Sequence, residues 1–132
     1  MPSLFTKIIK GEIPCHKIME DKKFLAFLDI RPIKPGHTLV IPKVEIDYIF
    51  DIEDPLLAQY FCFAKKVAKA IEKSIPCEKV GIMVAGLEVR HAHIHLIPFH
   101  KISDLTFANA AAMSNEELAK IAKKITAQIS QN

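Results

Sequence analysis

A chain of 132 residues with 50% apolar and 25% charged residues can bury one core but not two, so a single domain over residues 1–132 is expected, and disorder is excluded. The formal net charge of +3, with six histidines counted neutral, tolerates an anionic ligand without making a nucleic-acid-binding surface. Cys15, Cys62 and Cys77 are odd in number and offer no Cys-x-x-Cys pair, so they read as reduced packing residues. The segment Met1 to Phe5 lacks the basic start and apolar run of a secretory signal, and no apolar stretch is long enough to span a bilayer. The expectation is a cytoplasmic protein with no membrane partner.

In chain order, Ser3 can cap a short helix carrying Leu4, Phe5, Ile8 and Ile9 on one side, ended by Gly11 and Pro14. Lys17 to Glu20 and Phe24 to Asp29 read as paired strands around the turn Asp21-Lys22-Lys23. Thr38 to Ile41 reads as a buried strand stopped by Pro42. Asp54-Pro55 predicts a helix opening with Asp54 as the acidic cap, and Leu57, Tyr60, Phe61, Ala64, Val67, Ala68 and Ile71 then recur at helical spacing until Pro76. The lysines and glutamate at 65, 66, 69, 72 and 73 read as its solvated face. Val80 to Leu87 and Val89 to Phe99 read as two strands of a hairpin. Ser114 to Glu117 is a capping box that opens a final helix over 114–131, with Leu118, Ile121, Ala122, Ile125 and Ile129 apolar. This order predicts an α+β domain with a mostly antiparallel sheet.

If 89–99 is a strand, His91, His93 and His95 share one face while Ala92, Ile94 and Leu96 share the other. Alternate residues on a face lie roughly 6.5 Å apart, so two imidazoles could embrace one small anion. Packing alone explains the pattern poorly, because three polar rings need partners where Val or Ile would suffice. Two readings stay open on spacing: a metal site, or a nucleophile with supporting imidazoles. Histidine suits attack on phosphorus because much of it is neutral at pH 7 and the phosphoimidazole can be hydrolysed. The nucleophile's other ring nitrogen would need a fixed hydrogen bond, which a carbonyl of the adjacent strand could supply.

The run His91-Ala92-His93-Ile94-His95-Leu96-Ile97 resembles the signature of the histidine triad (HIT) nucleotide-binding proteins. Leu4 to Pro14, Phe24 to Pro32 and Pro35 to Lys43 resemble further blocks of that family, in its order. The resemblance implies an HIT-like fold, with a sheet of about five strands, a long central helix, and short N-terminal and C-terminal helices. It implies a homodimer whose sheets join, and cleavage at the α-phosphate of a purine nucleotide substrate, such as a nucleoside phosphoramidate, through a nucleotidyl-histidine. On this resemblance His93 is the nucleophile, His95 contacts phosphate oxygens, His91 orients the site and His37 supports the triad from a neighbouring strand. Asp29 accepts from the ribose hydroxyls, and Leu4, Phe5, Ile8, Phe27 and Ile30 sandwich the base. Glu88 and Val89 fall in the segment that contacts the phosphate.

This chain departs from the family where phosphate donors are usual: Leu87 and Glu88 stand in place of an amide and a hydroxyl. Arg90 is a candidate replacement, although its parity with His91 points it to the other face. Some members carry a zinc site begun by Cys-x-x-Cys; here those places hold Ser3 and Thr6, and Glu45 stands where a histidine ligand is expected, so no metal and no cofactor are predicted. The lost donors motivate an alternative, a nucleotide-binding module with weak or no catalysis. A third reading makes the triad itself a zinc or copper site.

Overall fold

The computed structural model describes residues 2–129. Helix α1 (Leu4–Ile9) opens at Ser3, whose hydroxyl accepts the Thr6 N–H, and gives way at Lys10 to Gly11, which takes a φ of 79°. Strands β1 (Lys17–Glu20) and β2 (Phe24–Leu28) pair antiparallel around a turn organised by Asp21, which accepts the N–H groups of Lys23 and Phe24. Strand β3 (Thr38–Pro42) lies between β2 and β5 (Ile94–Phe99), and β4 (Lys79–Met83) closes the order β1-β2-β3-β5-β4. Every ladder is antiparallel. With helices α2 (Asp54–Ser74) and α3 (Asn115–Ile129) the fold is the expected α+β arrangement.

Alternation along the strands gives the sheet two apolar faces. Phe24, Ala26, Leu28, Val40, Ile94 and Leu96 pack with Tyr60, Phe63, Ala64, Val67 and Ile71 of α2 and with Leu118 and Ile125 of α3. Leu25, Phe27, Leu39 and Ile41 point the other way and are covered by Phe5 of α1. The second face carries the triad. No helix among the described residues is long and apolar enough to cross a membrane.

Several local expectations need correction. Asp54 is the first helical residue and Glu53 is the cap, without a side-chain hydrogen bond, while Pro55 sits in the first turn. Phe61 is 41% exposed and Phe63 takes the buried position, because residues 60, 63, 64, 67, 70 and 71 follow the helical period more closely. Cys62 is exposed and so does not pack. Ser114 caps α3 by accepting the Glu117 N–H, so the helix starts at Asn115; residues 130 and 131 of the expected span lie outside the described residues. The strand expected from Val80 to Leu87 ends at Met83, and the one expected from Val89 begins only at Ile94. β4 and β5 do pair, but through a connection over 84–93 rather than a tight turn.

Candidate active site

That connection changes how the triad is built. His95 lies on β5 opposite Leu39, but His91 and His93 precede the strand, so the three rings do not share a strand face by simple alternation. The chain is diverted there because the Ala92 N–H donates to the Ile46 carbonyl at 2.7 Å. His37 stands just ahead of β3, after Gly36. The φ of 100° at Gly36 disfavours any side chain, and a Cβ there would lie 3.0 Å from the Ile75 side chain. His37, His91, His93 and His95 are all buried, between 0% and 7% exposed. The His93 and His95 rings are 4.9 Å apart, as are those of His93 and Phe5, and His37 lies 5.1 Å from His95.

Hydrogen bonds fix the tautomers. His93 donates from Nδ1 to the His91 carbonyl at 2.8 Å, which leaves a lone pair on Nε2. The acceptor lies two residues back in the same segment, not on the adjacent strand as expected. His37 Nδ1 accepts the Ile33 N–H at 3.0 Å, so its proton is on Nε2 and is donated to His95 Nδ1 at 2.9 Å. His95 therefore carries its own proton on Nε2, away from His37. No buried side-chain nitrogen or oxygen among the described residues lacks a partner. No hydrogen bond engages Nε2 of His93 or His95 among those residues, so both atoms are open to a ligand. The pair thus presents a nucleophilic lone pair beside a donor.

Burial keeps three of these rings neutral. It pushes His95 down to about 3, with the nearby His37 and His93 adding to the effect. Burial also lowers His37, opposed by Asp29, whose Oδ2 is 3.6 Å from His37 Nε2. His91 is lowered chiefly by burial, against the pull of the Pro42 carbonyl and Glu45.

The other expected residues are partly gathered here. Asp29, just past β2, has one oxygen on the Arg31 N–H and the other toward His37. Phe27 and Phe5 meet edge to face at 5.7 Å, Ile8 and Val89 pack beside them, and Leu4 and Ile30 are 48% and 62% exposed. Glu88 is exposed, and Arg90 points to Asp47 in an exposed ion pair at 3.8 Å, not to the histidines. His16 bonds Asn115, and His100 donates its backbone N–H to Asp104, both outside the triad. Sequence reasoning missed Phe107, whose ring lies 5.0 Å from that of His95. It rides on a 3-10 turn (Phe107–Asn109), and the following chain is tied back to the Asp29 loop by Ala111 N–H to Pro32 O and Met113 N–H to Ile30 O. A single aromatic in a stretch of small residues was the available signal.

Ser3, Thr6 and Glu45 do converge, but not as a zinc cage. The two hydroxyls are poor zinc ligands, and Glu45 already accepts both the Ser3 N–H at 2.7 Å and the Thr6 hydroxyl at 2.5 Å. These bonds hold the Glu45 carboxyl down at about 2. The Ser3 hydroxyl lies 2.8 Å from His91 Nδ1. Among the described residues, those that could hold a metal are Asp29, His37 and His95, whose ligand atoms fall within 4.8 Å of one another. A cation there would first have to break the His37–His95 hydrogen bond.

A family model described as "HIT domain" matches residues 10–102. The chain is 43% identical over 102 residues to "Protein hit" of Bacillus subtilis, covering 72% of this chain and 69% of that one. It is 43% identical over 96 residues to an adenosine 5'-monophosphoramidase of Saccharomyces cerevisiae, covering 72% of this chain and 61% of that one. A crystal structure of a Hit-like protein from Bartonella henselae superposes with a TM-score of 0.83 at 33% identity, over 96% of this chain and 95% of the other. Matched by sequence across the triad and by fold along nearly its whole length, the chain belongs to the HIT domain family.

Proposed function

We propose that this protein is a nucleotide hydrolase that cleaves the bond between the α-phosphorus of a purine nucleoside phosphoramidate and its amine, with His93 as nucleophile. The observation that carries the reading is the tautomer pattern: a lone pair on His93 Nε2 next to a donor on His95 Nε2. The adenosine 5'-monophosphoramidase of Saccharomyces cerevisiae among its relatives supports the substrate class.

In this mechanism His93 Nε2 attacks phosphorus in line, the P–Nε2 bond forms as the P–N bond of the amide breaks, and the departing amine takes up a proton from solvent. The imidazolium so formed keeps its Nδ1 proton on the His91 carbonyl, which stabilises the new positive charge. His95 Nε2–H donates to a phosphoryl oxygen, and a neutral donor there needs no proton release before the next cycle. Water then attacks phosphorus and releases the nucleoside monophosphate and His93. Asp29 receives the ribose hydroxyls, and Leu4, Phe5, Ile8, Phe27 and Ile30 hold the base. Glu88 and Val89 border the phosphate with little to donate from their side chains.

A homodimer accompanies this reading. Strand β4 ends the sheet with Ile82 53% exposed, and Val84 just beyond it is 40% exposed, the kind of unpaired apolar edge that a second copy can extend. Sedimentation should give twice the chain mass, and Ile82→Lys should shift it to the monomer.

One observation favours a second reading, a nucleotide-binding module with little catalysis: Arg90 is turned to Asp47, and Leu87 is 74% exposed where a donor is usual. The experiment that separates the two is amine release from an adenosine phosphoramidate, measured beside binding of the monophosphate. Binding without release favours the module; release that depends on His93 favours the enzyme.

A further inference from the structure

We infer that Glu45, acting through Thr6 and Ser3, is a positioning residue for the triad: it locks the first turn of α1 onto the His91 ring and so holds the His91 carbonyl that orients His93. The inference deepens the proposed hydrolase and rests on that reading for its kinetic test only.

Proton counting sets the direction of each bond. The Pro42 carbonyl, 2.7 Å from His91 Nε2, can only accept, so the His91 proton is on Nε2 and Nδ1 is an acceptor. The Ser3 hydroxyl therefore donates its one proton to His91 Nδ1, and its lone pairs accept the Thr6 N–H at 3.0 Å. The Thr6 hydroxyl gives its proton to Glu45, and the Ser3 N–H goes to the same carboxylate oxygen. Each donor has one acceptor, and both ends of the His91 ring are held, one by β3 and one by α1. With both hydroxyl protons spent, no proton lies between the Ser3 and Thr6 hydroxyl oxygens, 3.2 Å apart; the cluster is joined from carboxylate to imidazole by the Thr6 N–H on the Ser3 oxygen.

Two routes lead from this cluster to His93. The first runs through the backbone: a fixed His91 ring fixes the His91 carbonyl that receives the His93 Nδ1 proton. The second is Phe5, which lies between Ser3 and Thr6 in sequence and meets the rings of both His91, at 5.8 Å, and His93, at 4.9 Å. A six-residue helix has too few internal bonds to hold this register by itself. Glu45 reaches it from the segment after β3, where Ile46 also receives the Ala92 N–H, so the same loop grips the triad segment on both sides of the cluster.

The test is a double-mutant cycle on kcat/KM for an adenosine phosphoramidate, using Glu45→Ala, Ser3→Ala and both together, with Glu45→Gln as the conservative control. Residues in one chain of bonds lose their effect once, so the double variant should be no worse than the poorer single variant. Glu45→Ala should lower kcat/KM tenfold or more. Glu45→Gln, which keeps an acceptor oxygen, should stay within threefold of wild type. Nitrogen-15 spectra of the histidine rings form the second arm, independent of turnover: Glu45→Ala should broaden or shift the His91 signals and leave those of the His37–His95 pair in place. Losses that multiply in the double variant, an unaltered His91 spectrum, or disturbance of all four rings together would overturn the inference. If the wild type releases no amine, the proposed hydrolysis fails, and the ring spectra still decide the positioning role.

Discussion

His93 directs its Nδ1 proton to the carbonyl oxygen of His91, 2.8 Å away, and this one bond decides which nitrogen of His93 faces outward. The triad is thus asymmetric. His93 presents a lone pair, His95 a proton, and His91 neither, because both its ring nitrogens are spent on Pro42 and Ser3.

Stability should fall on the acid side. In the unfolded chain these imidazoles take up protons near pH 6.5, whereas burial in the folded protein holds His37, His91 and His95 lower, His95 at about 3. The unfolded state therefore binds more protons below pH 6.5; the stabilisation is complete above that pH and is lost as pH drops toward 3. Each ring contributes up to about 1.4 kcal/mol per pH unit in this window. Urea midpoints measured at pH 7.5, 6 and 5 should decline in order, and His95→Gln should flatten the decline. A midpoint constant over that range would be inconsistent with buried neutral rings.

Asp29 should matter for the sugar. Its carboxylate, half-open beside His37, is the acceptor proposed for two ribose hydroxyls, and a hydrogen bond to a charged group contributes about 1.5–3 kcal/mol. Asp29→Ala should weaken adenosine monophosphate binding roughly 10- to 100-fold. Calorimetry with the 2'-deoxy monophosphate checks the assignment, since the variant should no longer distinguish the two ligands. Continued discrimination would move the ribose elsewhere.

Tyr60 offers a test of the core apart from chemistry. Its hydroxyl is fully buried under the sheet and donates to the Val40 carbonyl at 2.5 Å. Tyr60→Phe leaves that carbonyl without this donor and should cost about 1–3 kcal/mol of unfolding free energy with turnover little changed. Chemical denaturation measures it.

The parts of the fold legible in the sequence were those governed by short-range rules. The Ser3 cap, the Asp21 turn, the strand before Pro42 and the stop of α2 near Pro76 each follow from a local residue preference. The period-two histidines were legible too, but their strand was not, because residues 89–93 are drawn off the sheet by a distant partner, the Ile46 carbonyl. Phe107 was missed for the same reason, and Glu45, singled out only as standing in place of a zinc ligand, was not foreseen as the acceptor for Ser3 and Thr6. Their importance comes from meeting α1 and His95 across the fold, and nothing in their own neighbourhoods announces it.

The most direct measurement is amine release from an adenosine phosphoramidate by the wild-type protein and by His93→Ala, with adenosine monophosphate binding followed in parallel. A nucleophilic His93 predicts turnover in the wild type, a loss of about 10³-fold or more in the variant, and binding that survives. Turnover in His93→Ala within tenfold of wild type would contradict the nucleophile assignment.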